Sequence, residues 1–120
     1  MEMFEHRPWG AWYVLDSGDG YKVKRIDVKP NSRLSLQMHE HRAEYWVVVA
    51  GSPTCQVGSE IVQAVPGDVI TIAIGQAHRI SNNTDEPVVI VETQRGSYTG
   101  EDDIVRLEDD YGRAGDHDLR

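Results

Sequence analysis

Cysteine is nearly absent: Cys55 stands alone in 120 residues. A single thiol excludes an intrachain disulfide framework and fits a reducing cytoplasm, where we expect the protein to work. No apolar run approaches the roughly 20 residues of a membrane span. The opening MEMFEHRPWG lacks the basic-then-apolar pattern of a secretory signal. Positive charge is also scarce, with 12 Lys and Arg against 20 Asp and Glu and a formal net charge of −8. That balance argues against nucleic acid or an anionic membrane as the main partner. The acids crowd towards the end, where residues 101–120 hold eight of them against Arg106, Arg113 and Arg120. Residues 114–120 read as a solvated acidic tail, and 1–113 as one domain with a single core.

Repeats, low-complexity segments and any sustained interior helical period are missing as well. What remains is a series of short alternating apolar runs: 21–28, 33–39, 44–50, 54–57, 60–65, 68–73, 77–81 and 87–94. Turn residues separate them, among them Pro30-Asn31, Gly51-Ser52-Pro53, Pro66-Gly67 and Asn82-Asn83. Closely spaced short strands of this kind predict an all-β barrel or sandwich. Residues 101–112 carry a weak helical pattern and predict at most a short turn or helix.

Alternation assigns faces. In 33–39 it sets Leu34, Leu36 and Met38 against Arg33, Ser35, Gln37 and His39, and in 44–50 Glu44, Trp46 and Val48 against Tyr45, Val47 and Val49. Both faces of the second run are largely apolar, so both need covering. This predicts a homodimer packed sheet on sheet, unless the N-terminal segment covers the outer face. Glu92 and Gln94 share a parity, which puts both inside or both outside.

The run LQMHEHRAEYW (36–46) holds more ligand-type side chains than one strand can aim at one ion: Gln37, His39, His41 and Glu44. The spacing around it resembles the two-part signature of the cupin family, G-x5-H-x-H-x(3,4)-E-x6-G followed by G-x5-P-x-G-x2-H-x3-N. Here Asn31, Gln37, His39, Glu44 and Gly51 stand at the first set of intervals, and Gly67, Ala73, Gly75, His78 and Asn82 at the second. Asn31, Gln37 and Ala73 depart from it in identity, not in spacing. A register pairing His39 with His41 would leave Glu44 too close and put Asn31 and Gly51 out of step. The resemblance implies a double-stranded β-helix, or jelly-roll barrel. Gln37, His39, Glu44 and His78 are then the metal set. Such a mixed nitrogen and oxygen set suits one divalent ion of zinc, manganese, iron, cobalt or nickel.

The strings RPWGAWYVLD, YKVKRI, LSLQMHEHRAE and GEDDIVR are more specific. Together they resemble the C-terminal domain of type II phosphomannose isomerases over residues 7–113. That domain is often fused to a mannose-1-phosphate guanylyltransferase, a portion with no counterpart here, so synthesis of GDP-mannose is not expected. In such isomerases Gln takes the first ligand position, which makes Gln37 the expected residue. Tyr45, where the family commonly has His, and Ala73 remain departures. The resemblance implies interconversion of mannose 6-phosphate and fructose 6-phosphate through an enediol. A non-catalytic metal- and sugar-binding cupin is the alternative; an oxygenase is disfavoured by Gln37. Lys22 and Lys24 share the face of Ile26 and Val28, and Arg42 that of Glu44, which makes these three the candidates for substrate anion or enediolate contacts. The base stays open between His41, a metal-bound water and an acid from 101–103.

Overall fold

The runs that alternate in the sequence are strands, and no helix occurs among the described residues. The computed structural model describes residues 4–112, so the acidic tail at 114–120 lies outside the described residues. In chain order the strands are β1 (Phe4–Arg7), β2 (Gly10–Gly18), β3 (Tyr21–Val28), β4 (Ser32–Arg33), β5 (Leu36–Met38) and β6 (Arg42–Ala50). The second half holds β7 (Thr54–Val57), β8 (Glu60–Gln63), β9 (Val69–Ile72), β10 (His78–Asn82), β11 (Val88–Gly96) and β12 (Val105–Glu108). One antiparallel sheet runs β1-β2-β3-β11-β6-β9 and the other β12-β5-β10-β7-β8, with β4 also on β10.

Two readings of the sequence change. The run 33–39 is broken into β4 and β5, because Leu34 and Ser35 are both buried, which strict alternation forbids. Residues 105–108 form a strand on β5 instead of a helix. Burial of Ile104 and Arg106 against the second sheet outweighs a weak helical pattern. Strands β1 and β2 were not evident, since Ala11 and Trp12 are both buried and the register slips between Val14 and Asp16.

The register of β3, β11 and β6 divides the barrel interior into layers. Ile26 stands opposite Ile90, which stands opposite Val48. The next layer is Lys24, Glu92 and Trp46, and the next Lys22, Gln94 and Glu44. One end of the interior is therefore an apolar core, closed by Trp12, Val28, Leu34, Ile72, Ile80 and Val88, and the other is polar. Cys55 is fully buried in that core, and burial pushes its thiol up to about 11, so it stays protonated and unreactive.

The outer face of the first sheet keeps Val47, Val49 and Val69 at 39%, 50% and 62% exposure. Strands β1 and β2 extend the far edge of that sheet and do not cover this face.

Candidate metal and anion site

Short turns aim the site. Asn31 adopts a left-handed backbone, φ 56°, at the position where the cupin signature has Gly; Asn tolerates this region better than other side chains. Gly75 also has positive φ and gives its N–H to the His39 carbonyl at 2.8 Å, holding the turn before β10 against the end of β5. Ala73, in place of Pro, keeps an N–H that donates to Gln76 Oε1 at 3.0 Å.

His39, Glu44 and His78 converge in the polar layer, and one ligand atom from each lies within 4.8 Å of the others. His39 Nε2 is 3.1 Å from Glu44 Oε2 and 3.1 Å from His78 Nε2. Gln37 is the direct cross-strand neighbour of His78 and lines a cavity that His39 and Glu44 also line. Its Oε1 accepts from the Ser35 hydroxyl at 3.2 Å.

The hydrogen-bond partners of the two imidazoles determine which nitrogens carry protons. His39 Nδ1 faces the Asp103 carbonyl at 2.6 Å and His78 Nδ1 the Gln76 carbonyl at 2.9 Å. A carbonyl only accepts, so each Nδ1 donates, and a ring in its neutral form turns an Nε2 lone pair inward. Burial pushes the His78 pKa down to about 4, with Glu44 opposing, so this ring is neutral near pH 7. Burial raises the Glu44 pKa, but Arg42 and His39 outweigh it and hold the carboxyl well below its usual range. With both rings neutral, two lone pairs and a carboxylate face one point, each imidazole braced from behind by a carbonyl. That donor chemistry fits a divalent metal ion.

Arg42 and Trp46 complete the setting of Glu44. Arg42 Nε donates to Glu44 Oε2 at 2.9 Å, and Trp46 Nε1 donates to Oε1 at 3.0 Å. Lys24 is buried in the cavity wall with its ammonium 4.2 Å from the centre of the Trp12 ring. Lys22 sits beside it, outside the cavity lining, and donates to the Thr99 carbonyl at 2.7 Å.

His41 is placed differently from the reading that made it a catalytic neighbour. It is exposed, edge-on to Tyr98 with ring centres 6.4 Å apart, and does not line the cavity. The chain turns between β5 and β6, where the Asp103 carboxylate accepts from the Glu40 and His41 N–H groups. Alternation does not carry through that turn.

A model of the family described as mannose-6-phosphate isomerase C-terminal matches residues 1–109. The chain belongs to that family. It is 49% identical over 109 residues to the xanthan biosynthesis protein XanB of Xanthomonas campestris pv. campestris, covering 91% of this chain and 23% of that protein. It is 46% identical over the same length to the mannose-1-phosphate guanylyltransferase ManC of Salmonella typhimurium, again 91% and 23%. The chain thus spans about a quarter of the length of these relatives. A cupin-2 domain from Rhodospirillum rubrum superposes with a TM-score of 0.68 at 22% identity, covering 75% of this chain and 62% of that one. The fold is the cupin double-stranded β-helix.

The cavity's lining is legible in the sequence only in part. Arg7, Trp9, Trp12 and Arg106 also face it. Nothing local in the sequence marks Arg7, which reaches the cavity because β1 folds back on β2. Glu92 and Gln94 both point inward and are buried, which resolves their parity. Burial, then the charge of Glu44, raises the Glu92 pKa to about 7, against the pull of Lys24 and Arg42. The other acids in question are engaged: Glu101 with Lys22 and Lys24, Asp102 with the Tyr98 hydroxyl, and Asp103 with the turn at 40–41. Arg79 lies outside the barrel interior, bonding the Leu34 carbonyl and Glu108.

Proposed function

We propose that the protein is a metal-dependent sugar-phosphate isomerase that interconverts mannose 6-phosphate and fructose 6-phosphate. The observation that carries this reading is the convergence of His39, Glu44 and His78 at one end of a cavity that also holds cations and one buried acid, Glu92. Gln37, His39, Glu44 and His78 would hold one divalent ion of the zinc, manganese, iron, cobalt or nickel group. Such an ion, when bound, supplies Lewis-acid polarisation of the sugar carbonyl.

The chain's own residues do the rest. Glu92 takes the proton from C2 of the aldose, the hydroxyl proton passes from O2 to O1 across the enediolate, and Glu92 returns its proton to C1; the ketose direction reverses this. Buried on the cavity wall opposite Lys24, its carboxyl is placed for both steps. Arg42, fixed by Glu44, faces the negative charge that develops on the enediol oxygens. Lys24, with Lys22 behind it, draws the phosphate into a protein whose net charge of −8 opposes anions overall. His41 forms part of the turn that places β6.

A coupled assay with mannose 6-phosphate tests the reading. Turnover that a chelator abolishes and an added divalent ion restores is the expected result. A metal-loaded protein that binds the sugar phosphate without turning it over would be a binding module and not an isomerase.

The exposed Val47, Val49 and Val69 support a homodimer, with a second copy covering this face. Light scattering should give twice the 13.5 kDa of one chain. Changing Val47 and Val49 together to Lys should yield monomers that retain the fold by circular dichroism; a monomeric wild type ends the dimer assignment.

A further inference from the structure

Lys22 and Lys24 already have an anion. Glu101 Oε1 lies 3.0 Å from Lys24 Nζ, and its Oε2 lies 3.2 Å from both Lys24 Nζ and Lys22 Nζ. The three partners differ in how they are held. Both lysines belong to β3, an interior strand of the first sheet, and their side chains are 15% and 6% exposed. Glu101 belongs to the connection from β11 to β12 and is 34% exposed. Its neighbours along that connection make few ties to the barrel: Thr99 through its carbonyl to Lys22, and Gly100 through a long 3.4 Å contact to Arg42 Nη1. Asp103 is the firm anchor, bonded to His39 and to the turn at 40–41.

We propose that Glu101 is an internal stand-in for a phosphate dianion, occupying the subsite made by Lys22 and Lys24 until a phosphate-bearing ligand displaces it. Only the identity of the physiological ligand rests on the isomerase reading. A buried ammonium without an anion is costly, so the subsite stays filled by one anion or another. The carboxylate carries one negative charge and a phosphate monoester nearly two near pH 7, so Coulombic attraction favours the exchange once the ester is present. The part that moves is the 99–102 connection, because the lysines are fixed in a sheet and the carboxylate is not. Asp103 stays in place, so the bond that orients His39 survives the exchange. Lys24, Arg42 and Lys22 hold the Glu101 pKa below its ordinary value in spite of burial, so the stand-in is charged under the conditions where phosphate competes.

Titration calorimetry with inorganic phosphate at low ionic strength, on the metal-free wild type and on Glu101→Gln, tests this without requiring turnover. The variant keeps the shape of the side chain and loses the charge. It should bind phosphate about tenfold tighter than the wild type, and adding Lys24→Gln should remove the gain. In the wild type, phosphate should speed exchange of the Asp103 N–H, which donates to the Gly100 carbonyl at 3.2 Å, and leave β12 protected on β5. This second measurement decides the matter should Glu101→Gln not fold. Equal or weaker phosphate binding by a folded variant, or unchanged exchange at the Asp103 N–H under saturating phosphate, would overturn the proposal. Loss of isomerase turnover in the coupled assay, with the phosphate result intact, would remove the isomerase reading alone.

Discussion

His39→Ala and His78→Ala should each lose the divalent ion and at least about a thousandfold in turnover. The size follows from what a Lewis acid contributes at a developing oxyanion, several kcal/mol, each 1.4 of which is about tenfold in rate. Both rings are buried and held from behind by carbonyls, so no neighbouring side chain can replace either. Gln37→Ala should cost less, about 10–100-fold in metal affinity, because a neutral amide is the weakest donor of the four. His41→Ala should leave metal content unchanged, since that ring is exposed and outside the cavity. Metal analysis of each purified variant, followed by the coupled assay, measures all four. A His41→Ala protein that loses its metal while Gln37→Ala keeps it would reverse the ligand register.

Glu92→Gln should separate stability from activity. In the metal-free protein the Glu92 pKa is raised from 4.5 to about 7 by burial and by Glu44. The folded state therefore holds this proton more tightly than the unfolded state does. The stability linked to it is present at acid pH and is lost as pH rises from about 4.5 through about 7. A difference of this size corresponds to something on the order of 3 kcal/mol. Glutamine has the same shape and never ionises. The stability gap between the variant and the wild type should widen in favour of the variant by that order between pH 5 and pH 8. Denaturant unfolding in the presence of chelator measures it, because a bound cation would itself lower the Glu92 pKa. A gap that stays flat across this range would show that Glu92 is not strained by burial. Turnover should move the other way, falling about 10²–10⁴-fold with little change in KM, as expected when a positioned acid–base group is lost. A variant that isomerises at the wild-type rate would exclude Glu92 as the group that carries the proton. An ionisable group kept buried at a cost to the fold is the signature expected of a working site.

Much of this site can be read along the chain. Alternation put Lys24, Ile26 and Val28 on one face and Glu44, Trp46 and Val48 on another, and the structure turns both faces inward. Gly67 and Gly75 marked turns, and both take positive φ. The left-handed Asn31 explains a departure from the cupin signature that looked like a defect. Parity failed where the chain is not extended. His41 follows His39 by two residues, yet the turn between β5 and β6 sends it outward. Arg42 and Glu44, on the far side of that turn, come back inside.

What the sequence determined by itself is the composition of each face: which side chains share a side of a strand, and at what intervals the donors recur. Those follow from the two-residue period of an extended chain, a local property. Only the tertiary structure decided which faces meet. Glu92 is placed beside Lys24 because β11 pairs with β3 and with β6 at once. Glu101 lies on the two lysines because the chain crosses from one sheet to the other after β11. His39 is oriented by a carbonyl 64 residues away. Each of these depends on long-range register, which burial of the whole barrel sets and no short stretch encodes.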